Sequence, residues 1–456
     1  MSSSVAKGVG VVIGAVAVLG LLVLGWFATR PGPMAFVAKK SVALAAYDGK
    51  PSGVPPDFQE TDPVARGRYL TLAADCQACH TAVGGTAFAG GRPFKTEFGT
   101  LYSPNITPDA QTGIGKWSDT DFLTAVHKGI SREGKKLYPA FPYAAYTYLT
   151  DEDVLAIKAY LFTLAPVQNV APENRLAFPF NQRWLMSFWS RLFNPDKRFE
   201  PTPELGAQWN RGAYLVEALA HCGDCHTPRN LLQALDNKNK FSGAVSDGWR
   251  AYNITSDPAS GVGDWSEAEL AQYLSTGHAK GRGTASGPMA EAVDLSFAQL
   301  TPGDIGAIVA YLRSVPAIRT SDLPATKNES APLNPKEGLV ANVDPQGKRV
   351  FAGACAGCHS WTGVSPLASH ATLTGTRAVN DPTATNVVQI VLSGSTRQTP
   401  GGPLAMPAFG SAYNDREIAA VANYVTGRFG AKASTITAEE VGKLRETQKH
   451  GSDSDG

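Results

Sequence analysis

Six cysteines occur in this chain, and each belongs to a Cys-x-x-Cys-His unit: Cys76-Gln-Ala-Cys79-His80, Cys222-Gly-Asp-Cys225-His226 and Cys355-Ala-Gly-Cys358-His359. Two thiols three residues apart on one helical turn can each add to a vinyl group of the same porphyrin. The histidine that follows is then held beneath the iron as an axial ligand. Three disulfides, a redox Cys-x-x-Cys or half a zinc site are the competing readings of such cysteines. None of them explains why histidine follows the second cysteine every time with no cysteine left over. The expected cofactors are therefore three covalently bound haem c groups.

The second axial position narrows to a short search, because the chain has only 5 methionines. Met289, in Gly287-Pro-Met-Ala290, lies 63 residues after His226, and Met406, in Leu404-Ala-Met-Pro-Ala408, lies 47 after His359. Both precede a helical segment, and their soft sulfur favours ferrous iron. The corresponding place in the first unit, 61 residues after His80, holds Phe141, which cannot ligate iron. Met34 and Met186 lie outside that unit, and His127 is the other ligand type nearby. An open or differently ligated iron is expected there.

The elements that must hold these groups repeat three times. A short helix precedes each motif: Arg66-Gly-Arg-Tyr-Leu70, Arg211-Gly-Ala-Tyr-Leu215 and, more loosely, Gln346-Gly-Lys-Arg-Val-Phe351. An amphipathic helix closes each unit behind a Thr or Asn cap followed by acids, from Leu149, Leu300 and Tyr413 onward. The first two units also share Asn-Ile-Thr, at Asn105 and Asn253, and Gly-x-Trp-Ser, with Trp117 and Trp265 as candidate haem-propionate donors. Asn-Ile-Thr matches a glycosylation sequon, discounted in a bacterial-type haem protein.

The predicted division is 1–30 membrane anchor, 62–165, 207–316 and 344–430 haem domains, 166–206 an aromatic-rich linker, 317–343 an extended linker, and 431–456 a C-terminal tail. The anchor rests on an uncharged stretch from Gly8 to Ala28, long enough to cross about 30 Å of hydrocarbon as a helix. Trp26 and Phe27 follow at its end, where a signal peptidase site would be expected. The linker segment Trp184-Leu-Met-Ser-Phe188-Trp189-Ser-Arg-Leu192-Phe193 has apolar pairs at helical spacing, expected to pack on neighbouring domains or to touch a membrane or partner. Thr437-Ala-Glu-Glu440 reads as a capping box, and Gly451 to Gly456 as a disordered end. Formal net charge is +1, which points to no nucleic-acid partner.

From Asp62 to Phe429 the chain resembles the three-haem cytochrome c subunits of membrane-bound periplasmic dehydrogenases. The resemblance rests on Arg211-Gly-Ala-Tyr-Leu-Val-Glu217, His221-Cys-Gly-Asp-Cys-His-Thr-Pro-Arg229, Tyr273-Leu-Ser-Thr-Gly-His278, Gly287-Pro-Met-Ala290 and Leu137-Tyr-Pro-Ala-Phe-Pro-Tyr143. It implies a mostly α fold, an N-terminal transmembrane helix followed by three class I-like cytochrome c domains, on the periplasmic side of the inner membrane. It also implies partners: a catalytic dehydrogenase subunit acting on an alcohol, aldehyde or sugar derivative, and ubiquinone or a terminal oxidase as acceptor. Phe141, where the alcohol dehydrogenase branch usually has Met, tilts the reading toward molybdopterin-dependent aldehyde dehydrogenases. The competing class is a peroxidase-like haem enzyme using an open first iron, with His127 as its acid–base group.

Overall fold

The computed structural model describes residues 14, 18, 20, 31–55, 62–326, 345–399 and 402–452. The expectation of a membrane-spanning helix over 8–28, and with it a single-pass inner-membrane location, is corrected. Among the described residues no helix is long and apolar enough to cross a membrane. Crossing takes about 20 apolar residues, whereas the longest helices described, Asp415–Phe429 and Ala438–Ser452, have 15 and carry several charges each. Of the predicted span, all but Gly14, Val18 and Gly20 lie outside the described residues, as does 327–343 of the predicted extended linker.

The helices recur in three sets. Opening helices Pro63–Ala73, Gly206–Tyr214 and Pro345–Val350 lead to the cysteine motifs, and closing helices Asp151–Leu161, Pro302–Ser314 and Asp415–Phe429 pack across them. Thr150, Thr301 and Asn414 cap the closing helices by accepting from the amides of Asp153, Asp304 and Glu417, which ties up donors that a helix start leaves free. The sequence places a glycine at each crossing for a steric reason. A Cβ on Gly67 would stand 1.8 Å from the Ala156 carbonyl oxygen; on Gly212, 1.9 Å from Ala307 O; on Gly347, 2.1 Å from Ala420 O. A closing-helix tyrosine, Tyr160, Tyr311 or Tyr424, lies next to each glycine.

Between opening and closing helices, the first two sets add a hairpin (Pro93–Thr96 with Gly99–Tyr102; Ala244–Ser246 with Trp249–Ala251) and a middle helix. Those middle helices, Asp119–Lys128 and Glu267–Thr276, begin at the Trp-Ser motif through reciprocal capping boxes, Ser118 with Asp121 and Ser266 with Glu269. The third set instead has helix Thr385–Ser393 and a hairpin of Ser395–Thr399 with Gly402–Met406. Helix Ala438–Ser452 opens on the predicted Thr437–Glu440 capping box, and Arg445 fastens it to Asp415 at 2.7 Å. It runs on into Gly451 and Ser452, the start of the end expected to be disordered; 453–456 lie outside the described residues.

Apolar burial groups the sets unequally. One continuous core joins the first two, with Leu70 and Val154 alongside Leu215 and Ile308. The third has its own core around Phe351, Val388 and Phe429. The aromatic linker helix, Leu185–Phe193, sets Leu185, Met186, Trp189 and Phe193 inward, half-buried. Trp184, Phe188 and Leu192 stay exposed.

Candidate haem centres

Each Cys-x-x-Cys-His unit forms one short helical turn, at Cys76–Cys79, Gly223–His226 and Ala356–His359, delivered by its opening helix. In the second and third sets a π-helical turn, Leu215–Leu219 or Phe351–Cys355, joins the two. All three histidines are oriented alike. His80 Nδ1 lies 2.8 Å from Pro104 O, His226 Nδ1 2.6 Å from Tyr252 O, and His359 Nδ1 2.6 Å from Ala371 O. A carbonyl can only accept, so Nδ1 carries the hydrogen and Nε2 keeps its lone pair for a metal. Burial lowers the pKa of all three, which keeps the imidazoles neutral and able to ligate.

The loops that accept from His80 and His226 are themselves pinned by Asn105 and Asn253. Asn105 Nδ2 donates to Val167 O at 2.7 Å and its Oδ1 accepts from Thr107 N; Asn253 Nδ2 donates to Ile318 O at 2.6 Å and its Oδ1 accepts from Thr255 N. They are 3% and 2% exposed, which settles the sequon question against glycosylation. The repeated Asn-Ile-Thr was visible in the sequence. Its task of holding the residue just before it against the histidine was not.

The first two motifs open on one cavity of about 3040 Å³, lined by Cys76, Cys79, His80, Cys222, Cys225, His226, Met289, Trp117 and Trp265. All six thiols are free. Burial pushes Cys76, Cys79 and Cys222 up to about 12 and Cys225 and Cys355 to about 11. A thiol–disulfide redox site lowers its thiol pKa, so these surroundings fit thioether attachment and not exchange chemistry. Apolar walls, thiols beside a neutral imidazole and a space of this size fit covalent haem.

The sixth positions differ. Met289 enters the cavity on the first turn of helix Pro288–Leu295, facing the same space as His226. Phe141 lines that space too, and its ring meets Tyr146 at 5.5 Å. His127 does not line it; the ring is 2% exposed with Nδ1 3.7 Å from Asp151 Oδ1. Met186, set aside on sequence grounds as outside the unit, does line it. Met406, on the third hairpin, lines a separate cavity of about 550 Å³ against helix Pro288–Leu295, and His359 lines neither of these two cavities.

A charged cluster that the sequence did not suggest bridges the two neighbouring motifs. Arg92 Nη2 lies 2.8 Å from Glu291 Oε2, and Arg92 Nη1 donates to Ala78 O at 2.5 Å. Asp75, immediately before Cys76, is pushed up to about 8 by burial and by Glu291, with Arg92 opposing.

Helical units that each present a Cys-x-x-Cys-His turn, with the histidine locked in the metal-binding tautomer, define a c-type cytochrome. Residues 64–165 match the family model of cytochrome c, and 342–425 that of cytochrome c oxidase, cbb3-type, subunit III. The fructose dehydrogenase cytochrome subunit of Gluconobacter japonicus is 38% identical over 441 residues, covering 91% of this chain and 89% of that one. The gluconate 2-dehydrogenase cytochrome c subunit of Pantoea cypripedii is 40% identical over 402 residues, 84% of this chain and 90% of that one. The chain belongs to this family of cytochrome c subunits of dehydrogenases, with haem c as cofactor. A nicotinate dehydrogenase subunit of Pseudomonas putida is 41% identical over 382 residues, 80% of this chain but 30% of that longer protein.

Proposed function

We propose that the chain is the electron-transfer subunit of a dehydrogenase complex. It takes electrons from a catalytic dehydrogenase subunit that oxidises an alcohol, aldehyde or sugar derivative, and delivers them to ubiquinone or a terminal oxidase. Three haem c groups, attached at Cys76/Cys79, Cys222/Cys225 and Cys355/Cys358 in domains 62–165, 207–316 and 344–430, supply reversible one-electron chemistry when bound. His80, His226 and His359 would hold the irons through Nε2, and Met289 and Met406 would supply sulfur to the second and third. Pro104 O, Tyr252 O and Ala371 O hold the three rings in one orientation and tautomer.

The observation that carries this reading is the shared cavity, which sets two attachment motifs facing one apolar space with Cys79 and Cys225 on its wall. The competing peroxidase-like reading needs an acid–base group over an open iron, and His127, its candidate, lies outside that cavity. The test is a haem count on the purified full chain, followed by addition of substrate to the complex containing it. Three haems per chain, reduced by substrate only when the catalytic subunit is present, is the expected result. Turnover of peroxide by the isolated chain at enzymatic rates would replace this reading with the other.

A further inference from the structure

The motif at His80 has no methionine on the loop ahead of its closing helix; the inference below rests on that motif carrying a haem. The loop in question is 136–143, where Phe141 stands in the place that Met289 takes in the second unit. Helix Leu185–Phe193 and the residues leading into it run along this loop. At one end Arg183 Nη1 donates to Lys136 O at 2.8 Å, and its guanidinium lies 4.8 Å over the Tyr138 ring. At the other end Trp189 meets Tyr143 edge-on, with ring centroids 5.9 Å apart.

Met186 is three residues from each of these anchors. Spacing of three keeps side chains on one helix face, and the half-buried 185, 186, 189 and 193 against the exposed 184, 188 and 192 identify it as the packed face. Met186 thus lies on the packed face, between the two anchors to the loop. Met186, Phe141, Cys79 and His80 all line the one cavity. Of the other described methionines, Met289 lines the same cavity and is assigned above to the second motif, Met406 lines the smaller cavity, and Met34 packs on the apolar core.

We propose that the Met186 thioether is the sixth ligand of the haem at His80, supplied in reverse from the connecting segment instead of from the loop ahead of the closing helix. Phe141 then fills the space vacated by the absent methionine and shields the iron from solvent. A soft sulfur ligand stabilises the ferrous state, so the first centre joins the other two as a six-coordinate relay.

The experiment uses the haem-loaded full chain with Met186→Leu, a substitution of similar volume that keeps the helix. A second variant adds Phe141→Met in the same background. The readouts are haem count, ferric spin state by electron paramagnetic resonance and carbon monoxide binding by the ferrous protein. Expected are three low-spin haems in the parent and one high-spin, carbon monoxide-binding haem per chain in Met186→Leu. Low spin should return when Phe141→Met is added. A parent that already holds a high-spin haem, or an unchanged spectrum in Met186→Leu at a count of three, overturns the inference alone. A parent whose first motif carries no haem overturns the three-haem reading, and the inference with it.

Discussion

The seam between the first and second units and the seam between the second and third are built from different physics. At the first, each opening helix sends a tyrosine into the other unit. Tyr69 donates to Asp304 Oδ2 at 2.7 Å and accepts from Thr301 N, while Tyr214 donates to Asp153 Oδ2 at 2.6 Å and accepts from Thr150 N. Each aspartate is also paired within its own unit, Asp153 with Arg66 and Asp304 with Arg211, both at 2.6 Å. The apolar core runs unbroken beneath this exchange. At the second seam arginines span two separate cores. Arg250 reaches Asp381 at 3.0 Å, and Arg397 reaches Asp294 at 3.0 Å and Ala290 O at 2.9 Å.

The difference teaches that two of the three units share one apolar core, whereas the third keeps its own and is docked through polar and charged contacts. A fused pair holds its two attachment motifs at a fixed separation, since neither can move without breaking a buried core. A docked unit keeps its own core when its contacts loosen. The residue types follow: in the third unit Gln346 and Arg349 replace the Arg66/Arg211 and Tyr69/Tyr214 positions, so the exchange cannot be repeated there.

The comparison can be broken most forcefully at the helix crossings. Gly212→Ala drives a methyl into the Ala307 carbonyl and is expected to cost about 3 kcal/mol or more. Calorimetry should show the first two units melting together at lower temperature, whereas Gly347→Ala should lower only the transition of the third. Independent melting of the first unit in Gly212→Ala would show that the pair is not fused. Next in size, Arg250→Ala leaves Asp381 buried without its cation, a loss of about 3 kcal/mol at the second seam. Protease cleavage between the second and third units should accelerate, with the haem spectra of the first two unchanged.

Tyr69→Phe and Tyr214→Phe remove one buried hydrogen bond to a carboxylate each and should destabilise the fused pair by about 1–3 kcal/mol. A shift confined to the third unit's transition would contradict the assignment. The smallest expected effect is on pH dependence. Burial, with Arg198 nearby, pushes His127 down to about 4, and burial, with His370 stacked at 4.0 Å, does the same to His278 at the second seam. Their folded-state values lie below the roughly 6.5 of an unfolded histidine, so the unfolded chain binds more protons between the two. Stability contributed by these groups is therefore complete above about pH 6.5 and declines as pH falls toward 4. His127→Gln should flatten this slope for the fused pair, and His278→Gln should flatten it for the seam, read from melting temperatures across that range.

Much of the site was legible because covalent haem chemistry acts through neighbours in sequence: thiol, thiol and imidazole must lie within one turn. The caps at Thr150, Thr301 and Asn414 were legible for the same local reason, whereas the close helix crossings at Gly67, Gly212 and Gly347 came only from the structure. The membrane-spanning helix read from Gly8 to Ala28 was an argument from hydropathy alone, and no helix among the described residues meets the length and apolarity it requires. His127 is of a ligand type and near in sequence, yet its buried ring does not line the cavity onto which the first motif opens.

By itself the sequence determined the cofactor, the number of attachment motifs and the closer kinship of the first two units, since each is written in residues a few positions apart. Only the tertiary structure decided that those two units share a core, that Asn105 and Asn253 steady the loops accepting from His80 and His226, and that Met186 lines the cavity onto which the first motif opens. These are contacts across tens to hundreds of residues, set by how helices cross and which faces they bury. No local spacing encodes them.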